Sequence, residues 1–569
     1  MTSIATDLTH SRPSDGPWYD QVSGLHVLKL KGDFYEMGHQ HGELLRAHIP
    51  DGPLPYYRTY IERVMGPGVL SKLLWPVLNR TIGARVAKAI PPFVEETLRG
   101  LAAGSGISER DILAGATMPD SLMWLAARLF RVHSVGPALH HRLAMGLGCT
   151  SAVAWGDATT DGRLLHARNL DYHGVNCWPK TAAVLFHQPD DGQRYVSVAA
   201  AGVPMGGVTA MNASGLTVTV HQHMFTDATR LGGTPIGFVG DLVMRHADSL
   251  EEAERILSSH TPIGCWTYLV TDGKRREVLC WEENPDRQVA TRVPQSDASF
   301  SYTNIYIDPE LGRTELDVYG SYWRHNQGRW QRARARLAEG HGALDPTAMA
   351  GILADLGSGQ CRFRDAARML LTVGSVVFRP EDGAFWVSTG EAPVSQNPFV
   401  PFSLTTESSA PEHGTLTDHA ERDPAGLAAF TAYRKAYTAY LDEQDLDGAR
   451  RHMADALAHQ PDQALYQCIA GLLALKAGDL SPAFEAFDRA VTIGHVDPER
   501  VAAFHVWRGR AADLGGRRDA AVADYRAALD RPADAPMKRA AEKGLKTAYS
   551  RRRARRFNID FTFADVMAP

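Results

Sequence analysis

The sequence predicts an α+β layered domain followed by an all-helical repeat region. Three observations carry this. Residues from about 24 to 148 read mainly as helix. From 149 to about 402 the hydrophobic period changes to two, in runs of antiparallel strands beside segregated helices. Beyond about 425 only helical patterns remain, and they recur.

Taken in order, residues 1–23 are polar, carry Pro and Gly, and read as a disordered segment without the basic start and apolar core of a signal peptide. Leu25–Leu30 is a short strand. The Gly-Asp at 32–33 then starts a helix, FYEMGHQHGELLRAHI, whose spacing puts Met37, His41, Leu44 and Leu45 near one face. Further helices are expected at Pro91–Ala103 and at Ser108–Leu113, the latter with Ser108 as N-cap. The apolar stretches Val69–Leu78 and Ser121–Phe130 read as core or pocket-lining helices, and no run is long enough to span a bilayer. In the second part, Ser151–Trp155 and Arg163–Leu170 flank the turn DATTDG as a hairpin. Strands follow at Thr181–His187, Tyr195–Ala200, Leu216–Gln222, Trp266–Thr271, Glu277–Trp281, Gly374–Phe378 and Phe385–Ser388, with helices at about 235–247 and 249–258. Residues 403–424 are a linker by composition. In 425–549 the segments at 447–457, 481–491 and 519–529 align at offsets of 34 and 38 residues, so that Ala449, Ala483 and Ala521 correspond, as do Met453, Phe487 and Tyr525. That period points to tetratricopeptide-like helix pairs with a concave surface, suited to a protein partner or to self-association. Residues 550–569 form a basic tail, with RRRARR at 551–556.

Composition excludes several classes. The 569 residues are 44% hydrophobic and 22% charged, as in ordinary globular proteins. A net charge of −5 offers no field for nucleic acid or anionic lipid. Six cysteines without C-x-x-C spacing fit free thiols in a reducing compartment such as the cytoplasm. No nucleotide loop or dinucleotide fingerprint is present, so no bound cofactor is expected.

The chemistry concentrates in GLGCTSAVAWGDATTDGRLLHARNLDYHG, residues 146–174. Arg168 and Asp171 lie 19 and 22 residues after Cys149, and a hairpin of that length brings its open ends together. A guanidinium beside a thiol favours the nucleophilic thiolate. If the chain were cut between Gly148 and Cys149, the α-amine of Cys149, with an ordinary pKa of about 8, could serve as base, and the Asp171 carboxylate could orient it. Gly148 suits self-cleavage because it lacks a Cβ and tolerates a strained backbone. His221 and His223 alternate onto one strand face, but no third ligand is nearby and no metal is expected.

This segment resembles the region around the nucleophile in acyl-coenzyme A:6-aminopenicillanic acid acyltransferases, which group with the N-terminal-nucleophile hydrolases. The likeness extends through LKLKGDFYEMGHQHGELL, MNASGLTVTV, SYTNIYID, LDPTAMAGILADLGS and TVGSVVFRPEDGAFWVSTGEAP, in the family's order, over about residues 25–402. It implies a four-layer αββα sandwich and autoproteolysis of Gly148–Cys149. It also implies that Cys149 is the nucleophile of both self-cleavage and turnover, with Arg168 and Asp171 beside it. Asn304 would help to hold the tetrahedral intermediate. An active-site, substrate-binding arginine would fall at Arg329, or at Arg332 if the alignment slips. One departure stands out: where relatives place an oxyanion-hole Asn, this chain reads VTVHQHMF, with His221 or Gln222 at that place.

The reaction expected is hydrolysis or transfer of an acyl group at a linear amide or thioester, through a Cys149 thioester. The substrate would be a small molecule, free, carrier-bound or a coenzyme A ester. Two rivals stand beside it. One is an uncut hydrolase using His221 or His223 as base. The other is an inactive interaction protein acting through its repeats.

Overall fold

The computed structural model describes residues 16–65, 73, 76–77, 79–131, 148–223, 226–316, 320–357, 363–420, 423–554 and 557–566. Val69–Leu78, Cys361 and the end of RRRARR lie largely or wholly outside them. Two sheets dominate the front of the molecule. The first has nine strands: β1 (Trp18–Val22), β2 (Leu25–Gly32), β5 (Ala182–Pro189), β6 (Tyr195–Ala200), β7 (Thr209–Asn212), β8 (Leu216–Gln222), β9 (Trp266–Asp272), β10 (Glu277–Asn284) and β11 (Arg287–Val293), neighbours in that order. The second has seven, in the order β12 (Ser299–Tyr302), β3 (Gly148–Ala154), β4 (Leu165–Asp171), β13 (Thr372–Arg379), β14 (Ala384–Ser388), β15 (Phe399–Ser403) and β16 (Ser408–Ser409). The β2–β5 pair is parallel, and the long excursion between its strands supplies the crossover that a parallel pair requires.

The alternation of strand side chains builds the layers. Val27, Val184, Phe186, Val196 and Met211 of the first sheet meet Val376, Phe378, Phe385, Val387 and Phe402 of the second. The intervening residues Leu28, Leu30, Ala183 and Leu185 face α1 (Phe34–Leu44), α2 (Pro53–Met65) and α3 (Pro92–Ser105). Farther along the chain come α4 (Glu109–Ala116), α5 (Met118–Arg131), α6 (Phe238–His246) and α7 (Leu250–Ser258). Helices α6 and α7 cover Leu216, Val218 and Val270 on the same outer face. Helices α8 (Gly320–Glu339) and α9 (Pro346–Leu353) cover Ala152, Leu165 and Ala167 of the second sheet. The front is therefore a mixed α/β body with two facing sheets between helical layers.

Local signals account for the first helices. Asp33 and Glu36 form a reciprocal capping box on α1, with Glu36 N–H donating to Asp33 at 2.8 Å and Asp33 N–H to Glu36 at 3.1 Å. Helices α1 and α3 meet backbone to backbone: a Cβ on Gly38 would stand 2.4 Å from the Thr97 carbonyl oxygen, and one on Gly104 2.0 Å from that of His39. Ser108 caps α4 as expected, accepting from Asp111 N–H at 3.2 Å.

The helical region comprises α10 (Pro424–Leu441), α11 (Leu446–His459), α12 (Ala464–Ala477), α13 (Leu480–Ile493), α14 (Pro498–Leu514), α15 (Arg518–Leu529) and α16 (Ala535–Lys546). The three aligned segments fall on α11, α13 and α15, and each of their corresponding residues is buried. This region packs on the front through Tyr56 Oη–Asp442 at 2.8 Å and Arg324–Asp534 at 2.5 Å, and shares one apolar core with it.

Three boundaries differ from expectation. Trp18–Val22 is an edge strand, so residues 18–22 of the segment expected to be disordered are ordered. Residues 403–420 are not a free linker: Leu404, Ala410 and Leu416 are buried, and Leu416 pairs with Phe399. Their polar composition hid three apolar anchors. The basic tail is likewise packed, with Phe557, Phe561 and Phe563 buried and β17 (Ile559–Asp560) paired to β18 (Asp565–Val566). Among the described residues no helix is long and apolar enough to cross a membrane.

Candidate active site

The β3–β4 hairpin pairs Cys149 with Leu170, Ser151 with Arg168, and Gly148 with Asp171. Paired residues share a face, so Cys149 and Arg168 point toward the first sheet, while Asp171 and Thr150 point toward α8. Arg168 Nη2 lies 3.4 Å from Cys149 Sγ. The same guanidinium donates to the carbonyls of Val220 at 2.7 Å and Val208 at 2.9 Å, and to Thr209 Oγ1. Its Nε is buried without a hydrogen-bond partner among the described residues. These bonds from the first sheet hold a positive charge against the thiol in a medium where charge acts strongly.

On the opposite face Arg329 is fully buried, and all five of its N–H groups are used. Nη1 donates to Cys149 O at 2.7 Å and to Thr150 Oγ1 at 2.8 Å. Nη2 donates to Asn304 Oδ1 at 3.0 Å and Asn326 Oδ1 at 2.5 Å, and Nε donates to His325 Nδ1 at 3.2 Å. Asp171 Oδ2 is 3.8 Å from Nη1 and has no hydrogen-bond partner among the described residues, while Thr372 donates to Oδ1 at 2.6 Å. Burial pushes the Asp171 carboxyl up to about 6, against the pull of Arg329, the Thr372 bond and Arg168. Arg329 therefore does not fit the substrate-binding role expected of it: it has no donor left and does not line the cavity. Arg332, the alternative position, pairs with Asp355 at 2.9 Å, away from the site.

Asn304 accepts the Cys149 backbone N–H at 2.6 Å and donates through Nδ2 to Gln222 O at 2.9 Å. Two donors on one amide atom and a carbonyl acceptor on the other fix its orientation. Gly148 starts β3 with a φ outside the left-handed region. Glycine is needed there for space: a Cβ would lie 2.9 Å from Met369 Sδ, 3.0 Å from Asp171 Oδ2 and 3.1 Å from Arg329 Nη2.

A cavity of about 90 Å³ opens at Cys149. Its polar end consists of Cys149, Arg168, Asp171, Gln222 and Asn304; its walls include Leu54, Tyr57, Met118, Trp178, Met205 and Ile236. Such a cavity accepts an apolar group and presents its polar terminus to the thiol. His221 is not on its wall. It lies between the sheets, 2.9 Å from Ser151 Oγ and packed edge-on to Tyr302, and burial pushes it well below the usual histidine range. His223 stacks on Tyr306 and bonds Thr267 at 2.8 Å. Among the described residues no group of three or more His, Cys, Asp or Glu could hold a metal ion. His325, Asn326 and Thr372 escaped sequence reasoning. Only the one-turn spacing of His325, Asn326 and Arg329 on a helix could have suggested that they act together.

The arrangement can support a cysteine nucleophile acting on a carbonyl at the mouth of an apolar cavity. Residues 158–392 match the family model of acyl-coenzyme A:6-aminopenicillanic acid acyl-transferase. The match begins nine residues after Cys149. An uncharacterized protein of Archaeoglobus fulgidus is 28% identical over 356 residues, a match covering 57% of this chain and 57% of that protein. Among solved structures, the Caenorhabditis elegans N-acylethanolamine-hydrolyzing acid amidase ortholog is similar over 41% of this chain and 93% of its own, at 19% identity and a TM-score of 0.31. The N-terminal domain of stress-induced protein-1 from C. elegans is similar over 22% of this chain and 100% of its own, at 16% identity and a TM-score of 0.21.

Proposed function

We propose that the chain is a self-cleaving N-terminal-nucleophile amidase or acyltransferase of four-layer αββα architecture, with Cys149 as its nucleophile. The observation that carries this is the Cys149 thiol, held 3.4 Å from Arg168 Nη2 at the polar end of an apolar cavity. Scission of Gly148–Cys149 frees an α-amine next to the unpartnered Asp171 Oδ2, which orients it as base. The thiolate attacks the acyl carbonyl, the carbon–nitrogen bond breaks, and the amine leaves with the proton that the α-amine took from the thiol. Water or a second amine then attacks the thioester and restores the thiol. Gln222, which lines the cavity, suits the oxyanion better than His221, which does not. The front piece stays attached after the cut because β2 pairs with β5 of the second piece.

The cavity walls favour an apolar acyl group, offered as a simple amide, a coenzyme A ester or a carrier-bound thioester. The buried, equivalent positions of α11, α13 and α15 support tetratricopeptide-like stacking. An uncut enzyme relying on His221 or His223 is disfavoured because neither residue lines the cavity. The test is the intact mass of the purified protein and of Cys149→Ala. Two fragments from the first and one chain from the second are expected, together with an acyl adduct on Cys149 after treatment with an activated acyl ester. A single chain in both, without adduct, removes the reading.

A further inference from the structure

The end of the chain runs through the inside of the helical region. Tyr433 on α10 donates to Phe561 O at 2.7 Å, Lys476 on α12 to Phe557 O at 2.7 Å, and Arg500 on α14 to Phe563 O at 2.6 Å. One face each of α10, α12 and α14 is thus met by residues 557–563, which lead into and turn within the β17–β18 hairpin. The hairpin also reaches the front: Asp565 accepts from Ser321 on α8, and the Phe563 ring lies 4.9 Å from the His325 ring. His325 is 2% exposed. Its Nδ1 accepts from Arg329 Nε, which requires that nitrogen to be unprotonated, and the ring also hydrogen bonds the backbone of Ala366. Arg329 in turn grips Cys149 O and, through Asn304, the Cys149 N–H.

We propose that His325, pinned by Phe563 of the C-terminal hairpin, is a positioning residue that sets the Arg329 clamp on both sides of the nucleophile's backbone. The helical region then serves as a holder of its own chain end against α8, and through it of the active site. This rests on the reading of Cys149 as nucleophile. A misaligned clamp shifts the thiol relative to Arg168 and to the bound carbonyl, and small shifts at a reacting centre are expensive in rate. Neither His325 nor Phe563 lines the cavity, so substrate affinity should hardly change.

The experiment compares full-length wild type with His325→Leu, which fills the space without an acceptor, His325→Asn, which restores one, and Phe563→Ala. Turnover of a p-nitrophenyl acyl ester separates kcat from KM. His325→Leu is expected to lose about 10- to 100-fold in kcat with KM within about twofold. His325→Asn should recover most of the loss, and Phe563→Ala should fall between them. Wild-type kcat in His325→Leu, or an equal loss in a folded His325→Asn, overturns the proposal. Should His325→Leu fail to fold, His325→Asn decides alone: near-wild-type kcat supports the role and a tenfold loss overturns it. A second arm needs no activity, so failure of the nucleophile reading is seen separately. In a Cys149→Ala background, hydrogen exchange across residues 148–154 should accelerate with His325→Leu and not with His325→Asn, and equal exchange in both overturns the coupling.

Discussion

The two faces of the β3–β4 hairpin carry arginines of opposite character. Arg168, on the inner face, leaves Nε unpartnered and borders the cavity beside the thiol. Arg329, on the outer face, has every donor satisfied and no contact with the cavity. Both are buried cations, yet one borders the cavity and the other bonds the Cys149 backbone away from it. A saturated guanidinium is held rigidly and has no donor left for a ligand, whereas an incompletely bonded one beside a thiol retains the capacity to stabilise new negative charge.

The sharpest way to break this comparison is to remove each cation. Arg329→Met strands Asn304, Asn326 and Asp171 in the interior, and loss of one partner of such a buried network costs about 3–5 kcal/mol. A large fall in thermal midpoint and loss of the Gly148–Cys149 cut are expected, read by calorimetry and intact mass. Arg168→Met uncovers the Val208 and Val220 carbonyls, a smaller cost of about 1–3 kcal/mol, but should slow Cys149 acylation on the order of 10²-fold. If both variants lose stability equally and rate equally, the two arginines do not differ in kind.

Asp171 sharpens the comparison, because it shares the outer face but keeps one oxygen open. Its carboxyl sits at about 6, above an unfolded value of about 4. Acylation of the cut enzyme should therefore rise with pH through about 6, as the carboxylate forms. Stability should move the other way: the contribution of the protonated carboxyl is complete below about pH 4 and lost as pH rises through about 6. Asp171→Asn should flatten the acid limb of the rate profile and cost about tenfold at neutral pH. An unchanged acid limb in that variant would detach Asp171 from the chemistry.

Much of this was legible in the sequence. The period-two runs gave β6 and β8 with the bounds found, and the length of the hairpin alone put Arg168 near Cys149. The edge strands β1 and β11 were missed because their exposed faces are polar on both sides of the pleat, leaving weak alternation to read. The face assignment of Asp171 was available from strand parity but not its crowding against Gly148, which depends on Met369 and Arg329 arriving from distant segments. The closure by Phe563 was hidden for the same reason: an aromatic residue near a chain end carries no sequence mark of its neighbour more than 200 positions away.

His221 offers the smallest and most discriminating effect. His221 or Gln222 was expected at the place of an oxyanion-hole Asn, and adjacent residues on a strand face opposite ways. Gln222 is on the cavity wall; His221 bonds Ser151 in the layer between the sheets. Replacing it by Gln keeps a polar partner for Ser151 and changes nothing that borders the thiol. A stability loss of about 1 kcal/mol and an acylation rate within about threefold of wild type are expected. Gln222→Leu, by contrast, should reduce the rate on the order of 10²-fold if its amide receives the oxyanion. Reversal of that order, with His221→Gln the more damaged, would return histidine to the mechanism and revive the uncut enzyme that uses it as a base.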